Sequence, residues 1–466
     1  MRVSGDRSTF KISQLVQGDC TPRPVLVLFC IYILAWFWQL GIRREWLGAI
    51  RFEFLLGALL AILAMLLLAS QGRSRIADEW PYGLLIAVGI LFSLITIQVP
   101  LSIVPEYSSG VFLERVVKFA FISIFIIAFI RCPENLRWLV VTLLIAWGYL
   151  TFESFRSALK GTMIWESQGV PRLRGDTPMF RHPNSLAGMA IGVLPFAFFV
   201  LPLIKKNWLR IALLFSVVTA LGCVMYSGSR TAYLGVAALC FYLVFAVNRS
   251  IFKAIGVSVI ILTISFIAMP EIYQARLLTI VTGEEIEGAS MDARKTIQEH
   301  AITIFKANPL GVGVQAFPEA RSRMFGRKQD THNLYLEVAT NLGIQGLVAF
   351  LAFVFILLKT LWRVIKRCEH TIVRLEGEMG ERHAEETGIG VKWAREYLED
   401  LRWVRAVSLA VIGYVFVRLV LGLFGHDLYE IYWWLSTGLA VVLWRISTRL
   451  NNGCGAVISA RSSGGE

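Results

Sequence analysis

The sequence predicts an all-α polytopic membrane protein, with about 12 transmembrane helices and a large external loop between spans nine and ten. Three observations predict it. Of 466 residues, 56% are hydrophobic and only 17% are charged, against roughly 25% charged in soluble domains. The apolar residues come in blocks of about 18 to 22, long enough as helices to cross a hydrocarbon core of roughly 30 Å. Lys and Arg gather at the ends of those blocks, as orientation in a bilayer requires, so the net charge of +13 argues for membrane edges and against nucleic acid.

Taken in order, residues 1–23 carry Arg2, Arg7, Lys11 and Arg23 and form a polar cytoplasmic N-terminus. The apolar block that follows lacks a small-residue cleavage site and is promptly joined by others, so it reads as an uncleaved first helix. Candidate spans fall at 24–41, 53–70, 82–98, 112–130, 136–152, 185–203, 208–226, 231–247, 251–269, 333–358, 403–423 and 429–447. Spans one to nine thus occupy 24–269 and include an external loop at 153–184. A large external loop, 270–332, precedes span ten, a charged cytoplasmic segment, 359–402, precedes spans eleven and twelve within 403–447, and 448–466 is a cytoplasmic tail.

Orientation follows from the short loops. Those assigned to the inside hold Arg73, Arg75, Arg131, Arg137, Lys205, Lys206, Arg210, Arg249 and Lys253; those outside hold Arg43, Arg44, Arg51 and Arg230. An excess of nine over four places both termini in the cytoplasm. Trp46, Trp80, Trp138, Trp208, Trp403, Trp433 and Trp444 lie near span ends, as interfacial anchors do. Cys30, Cys223 and Cys240 fall in spans and Cys20, Cys132, Cys368 and Cys454 in cytoplasmic segments. With no cysteine in an external loop, the same orientation is favoured and no disulfide framework is expected.

The long connections differ in character. The segment from Lys359 through Glu381, Glu385 and Glu386 to Arg402 mixes both charge signs and reads as solvated helix. From Asp292 to Asn308, Ile297, Ala301, Ile304 and Phe305 recur at helical spacing before Asn308-Pro309. That spacing predicts an amphipathic helix lying along the outer membrane face. Gly311-Val312-Gly313 then requires a turn.

Cations on the outer side run against the charge rule and so are candidate ligands. They are Arg115 and Lys118 at the start of span four, Arg181, Arg230, Arg294, and Arg418 within span eleven, where a charge needs a partner. Phe180-Arg181-His182-Pro183-Asn184 sets cations beside a helix entry, with Asn184 or Ser185 as N-cap, so that backbone donors and a guanidinium converge. Ser227-Gly228-Ser229-Arg230-Thr231 does the same with small residues that admit a ligand. Two such sites at one depth suit a diphosphate. His332, in Thr331-His332-Asn333-Leu334-Tyr335-Leu336, sits where the large loop enters span ten and suits a general base near neutral pH. His300 reads as solvated and His426-Asp427 as turn polarity. No metal site and no cofactor is expected, since the first external loop offers Glu45 alone and no HExxH, Walker or GxGxxG pattern stands in a suitable context.

Four of these motifs in order resemble the bacterial O-antigen ligases and the related O-antigen polymerases (the Wzy-C-like family) and protein O-oligosaccharyltransferases. They are Arg181-His182-Pro183-Asn184, Gly228-Ser229-Arg230-Thr231, the Arg294 helix running to Asn308-Pro309-Leu310-Gly311-Val312-Gly313, and His332-Asn333-Leu334-Tyr335-Leu336 continuing to Gly343. The likeness is most specific over 170–360. It implies an inner-membrane glycosyltransferase of cell-envelope and lipopolysaccharide biosynthesis. Such an enzyme transfers a glycan from undecaprenyl diphosphate to an acceptor hydroxyl on the outer face, metal-independent and with inversion. The acceptor would be the lipid A core, another glycan or a protein. By the matching motifs, His332 would activate the acceptor while Arg181, Arg230 and Arg294 bind the diphosphate, with His182, Asn333, Tyr335, Arg418, Arg115 and Lys118 as further candidates. A flippase or transporter for lipid-linked glycans is the alternative of another class. It should show inverted repeats and midplane polar groups, whereas the cations here cluster on one face.

Overall fold

A computed structural model describes residues 20–69, 80–167, 170–248, 250–267, 269–282, 290–381 and 389–462. The first 19 residues, the loop with Arg73 and Arg75, Arg249, and Glu385 and Glu386 lie outside the described residues. The chain is a helical bundle. Besides the short helices Leu40–Arg43, Glu45–Ala49 and Pro105–Val111, the helices are α1 (Arg23–Trp38), α2 (Phe52–Ala69), α3 (Tyr82–Ile97), α4 (Lys118–Phe129), α5 (Pro133–Leu159), α6 (Pro183–Val200), α7 (Asn207–Tyr226), α8 (Arg230–Asn248), α9 (Ile251–Ile267), α10 (Glu271–Thr282), α11 (Ser290–Ala307), α12 (Phe317–Phe325), α13 (Leu334–Glu381), α14 (Ile389–Leu421) and α15 (Ile431–Ser462). An antiparallel hairpin of β1 (Ile164–Ser167) and β2 (Val170–Leu173) follows α5.

Seven of the twelve expected segments coincide with helices long and apolar enough to cross a membrane, and three with the shorter apolar helices Arg23–Trp38, Tyr82–Ile97 and Ile251–Ile264. The other two are helical but belong to neither group. Segment 112–130 is divided by a π-helical turn, Phe112–Val117, leaving α4 only 12 residues, and segment 429–447 carries Arg445 within α15. The chain is therefore multi-pass by helix composition, with seven spans by length and hydropathy among the described residues.

Burial sorts these helices into centre and rim. In α6, buried Leu186, Ala187, Ala190, Ile191, Val193 and Phe196 pack against α14, α7 and α8. By contrast α2 buries only Leu56, Leu60 and Ala64 and turns Phe54, Leu55, Ile62, Met65 and Leu66 outward. An apolar rim is what a bilayer solvates, since lipid tails accept leucine as readily as a protein core does. Arg418 is buried, and it is held structurally: Nη2 donates to the Gly188 carbonyl at 2.8 Å, Nη1 lies 3.8 Å from Asp427, and the guanidinium sits 3.4 Å from the Tyr432 ring centroid. It ties α6, α14 and the start of α15 together.

Three sequence expectations are corrected. Cys20 and Cys132 form a disulfide, with Cα atoms 5.4 Å apart across 112 residues of chain. Thr21 docks the start of α1 on the α4–α5 corner, its Oγ1 donating to Phe129 O and its N to Asn135 Oδ1. Cysteine placement therefore no longer speaks to orientation. The apolar stripe of α11 faces protein and not the bilayer: Ile297, Ala301 and Ile304 are buried with Val312, Ala316, Phe317 and Ala320. Finally, His300 is not simply solvated; it accepts from Arg321 Nε at 3.2 Å and stacks on Phe325 at 3.6 Å. The described residues of segment 359–402, 359–381 and 389–402, extend α13 and α14 as a helical pair joined by Arg405–Glu369 and Arg402–Glu376 ion pairs.

Candidate functional site

One end of the bundle holds a cavity of about 220 Å³, lined by Arg172, His182, Asn184, Ser229, Arg230, Thr231, Arg276, Ala293, Arg294, Ile297, Gln329 and His332. Four guanidiniums converge there, and among the described residues no carboxylate lines it.

Local chain geometry aims each group. Gly228 adopts φ +54, and a Cβ there would stand 3.2 Å from the Tyr273 ring and 3.6 Å from Arg172 Cγ, so the turn into α8 needs glycine. Ser229 Oγ accepts from Ala232 N at 3.3 Å and caps α8, which starts at Arg230. His182 caps α6, its Nδ1 accepting from Asn184 N at 3.2 Å; the N-cap is thus two to three residues earlier than the sequence suggested, because Pro183 fits the first helical position. Asn184 instead accepts at Oδ1 from Arg172 Nη2 at 2.6 Å, while Arg172 Nε donates to Ser227 O at 2.9 Å.

Arg172 is buried, and its guanidinium pKa is pushed down to about 10 by that burial and then by repulsion from Arg276, Arg294 and Arg230. Four like charges in one partly desolvated space make a cavity that favours a polyanion.

His332 stands two residues before the start of α13 with φ +50, a left-handed conformation uncommon for a residue with a Cβ. The two residues that follow it are anchored. Leu334 N donates to Gly422 O at 2.7 Å, and Asn333 Oδ1 accepts from the N–H groups of Tyr335 and Leu336 at 3.0 and 3.1 Å, capping α13. Further along, Gly343 at φ +74 breaks α13 where the 309–313 loop docks, Ile344 N donating to Pro309 O and Val312 N to Thr340 O. The His332 ring meets His426 edge-on at 5.5 Å between centroids, and His426 Nε2 lies 3.7 Å from Asp330 Oδ2. Burial, then His426 and Arg294, push the His332 pKa down to about 4, with Asp330 acting the other way. The imidazole is neutral at physiological pH and can accept a proton.

Of the sequence candidates, Arg230, Arg294, His182 and His332 line this cavity. Arg181 does not: it is exposed at the end of the 3-10 turn Pro178–Phe180. Asn333 is the α13 cap, and Tyr335 donates from its hydroxyl to Leu419 O at 3.1 Å. Arg115 pairs with Glu430 at 2.7 Å, and Lys118 is exposed. Sequence reasoning missed Arg172, Arg276 and Gln329. The signal available was that 153–184 and 270–332 hold further cations, but nothing local singled these out.

Residues 215–351 match a family model described as O-antigen ligase. The matched stretch includes Arg230, Arg294 and His332 and ends within α13. A search of curated proteins returned no match.

Proposed function

We propose, from the O-antigen ligase match over 215–351, which implies a glycosyltransferase-like enzyme acting on lipid-linked glycans, that the cavity transfers a glycan from a polyprenyl diphosphate to an acceptor hydroxyl. The observation that carries this reading is the convergence of four arginines and two histidines on a single cavity, of which His182 spends its Nδ1 on the α6 cap. His332 takes the proton of the acceptor hydroxyl as its oxygen bonds to the anomeric carbon. The bond from that carbon to the diphosphate oxygen breaks, the electron pair leaves with the diphosphate, and Arg172, Arg230, Arg276 and Arg294 neutralise it. Attack opposite the leaving group inverts the anomeric centre. Charge stabilisation of this kind is strong where the donors are held in place before reaction and partly shielded from water.

A pKa of about 4 keeps His332 neutral but makes it a weak base, and the bound donor corrects this. Burial and His426 hold the imidazole down more than Arg294 does, and a diphosphate beside Arg294 offsets that third contribution, moving the pKa upward toward the range where proton transfer is efficient. Base strength is thus coupled to donor occupancy.

We place the cavity on the outer face of the plasma membrane. In support, Arg131, Arg137, Lys205, Lys206, Arg210 and Lys253 all lie at the opposite end of the bundle, as cytoplasmic loops require. A reconstituted assay with purified protein, a defined polyprenyl-diphosphate-linked glycan and a hydroxyl acceptor tests the activity. Glycan transfer with release of polyprenyl diphosphate is expected; donor movement across the bilayer without transfer would favour a transporter.

A further inference from the structure

We infer that Trp165 is a sugar platform at the cavity rim, taking the pyranose attached directly to the diphosphate. The assignment rests on the donor reading above and adds a carbohydrate subsite to it.

The hairpin register carries the inference. Trp165 pairs directly with Arg172 across the antiparallel strands, and directly opposed residues project to the same face of a sheet, with Cβ atoms about 4.5 to 5.5 Å apart. Arg172 points into the cavity and lines it, so Trp165 stands beside it on the cavity side of the hairpin. The second contact is independent of the first. The Trp165 ring meets His182 edge-on at 5.4 Å and 72°, and His182 lines the same cavity. Yet Trp165 keeps 40% of its surface open.

Chemistry then selects the occupant. A glycosyl diphosphate places its first sugar one bond from a phosphate oxygen, so a sugar whose diphosphate is held by Arg172 must lie within one ring's reach of that guanidinium. A pyranose presents an apolar C–H face and a polar hydroxyl rim. A tryptophan offers the matching surface, broad and rigid, with little side-chain entropy to lose. Two of the tryptophans expected at the membrane interface, Trp46 and Trp208, are 66% and 65% exposed at helix ends. Trp165 is instead on a strand and held against a cavity residue. The hairpin is itself tied down, Arg172 Nε donating to Ser227 O at 2.9 Å and Tyr273 Oη to Pro171 O at 3.0 Å, which holds the platform beside the cations.

The test compares two ligands on protein in lipid nanodiscs: a polyprenyl diphosphate bearing one sugar, and the same polyprenyl diphosphate without it. Trp165→Ala should weaken binding of the sugar-bearing ligand about three- to tenfold, the range of an aromatic contact, leave the sugar-free ligand unchanged, and raise KM with little change in kcat. Trp165→Phe should recover most of the loss. Equal weakening of both ligands, or of neither, overturns the platform while leaving the donor reading in place. Wild-type protein that binds neither ligand would remove the donor reading and the platform together.

Discussion

Replacing Arg172 with alanine should damage donor binding far more than folding. In the fold, Arg172 donates to Ser227 O at 2.9 Å and Asn184 Oδ1 at 2.6 Å, and hydrogen bonds from a charged group contribute roughly 1.5 to 3 kcal/mol each. Against that loss stands relief. A guanidinium pKa held down from 12.5 to about 10 by burial and three neighbouring cations corresponds to about 3 kcal/mol of penalty that alanine removes. The two terms largely offset, leaving a net destabilisation of roughly 0 to 3 kcal/mol. Donor binding has no such offset, because a lost charge-assisted phosphate contact costs about 2 to 4 kcal/mol, or roughly 30- to 1000-fold. Lysine should recover little, since a point charge cannot hold the Ser227 and Asn184 acceptors as a planar fork does. Donor titration in nanodiscs, with thermal melting as the check on folding, separates the terms. A folded Arg172→Ala protein that binds donor as tightly as wild type would refute the four-arginine clamp.

Arg230→Ala should lower transfer by roughly 30-fold or more at matched membrane levels, whereas Arg181→Ala, outside the cavity, should stay within about threefold of wild type; equal losses in the two would place Arg181 back in the site. For pH, only neutral His332 accepts a proton, so with a folded pKa of about 4 kcat/KM should stay level as pH falls from 8 to 5 and drop below that, while the limb in kcat lies higher because bound diphosphate raises the pKa. A kcat/KM decline centred near 6.5 would mean an unperturbed histidine. For topology, a membrane-impermeant thiol reagent should label a cysteine introduced at Ser322 in intact spheroplasts and not one at Glu381; the reverse pattern would invert the orientation. This experiment also weighs the loop charges against the Cys20–Cys132 disulfide, which stands at the cation-rich end although oxidised pairs are usual outside the cytoplasm.

The bundle was legible because lipid demands long apolar runs, and Arg230 and His332, which line the cavity, were singled out because each sits beside a helix start with small or capping residues around it. The sequence pointed to Arg181 for the same reason and missed Arg172, and the cause is a register. In the chain Arg181 adjoins the α6 entry, but the turn at Pro178–Phe180, closed by Gly175 N donating to Phe180 O at 2.9 Å, leaves Arg181 exposed, while the β1–β2 pairing delivers Arg172 from nine residues upstream. A strand pair of four residues each leaves almost no periodicity to read. The α11 stripe was legible as apolar, but periodicity cannot say whether protein or lipid covers it. Helix count was limited in another way: a π turn at Phe112–Val117 and Arg445 in α15 interrupt runs that look continuous by composition.

The most direct test of the central claim separates donor binding from chemistry in His332→Ala. The diphosphate clamp is intact in that variant, so donor affinity should remain within about threefold of wild type, while single-turnover transfer from bound donor should slow by about 10² to 10⁴. Lost donor binding with unchanged chemistry per bound donor would contradict the account and make His332 a phosphate ligand.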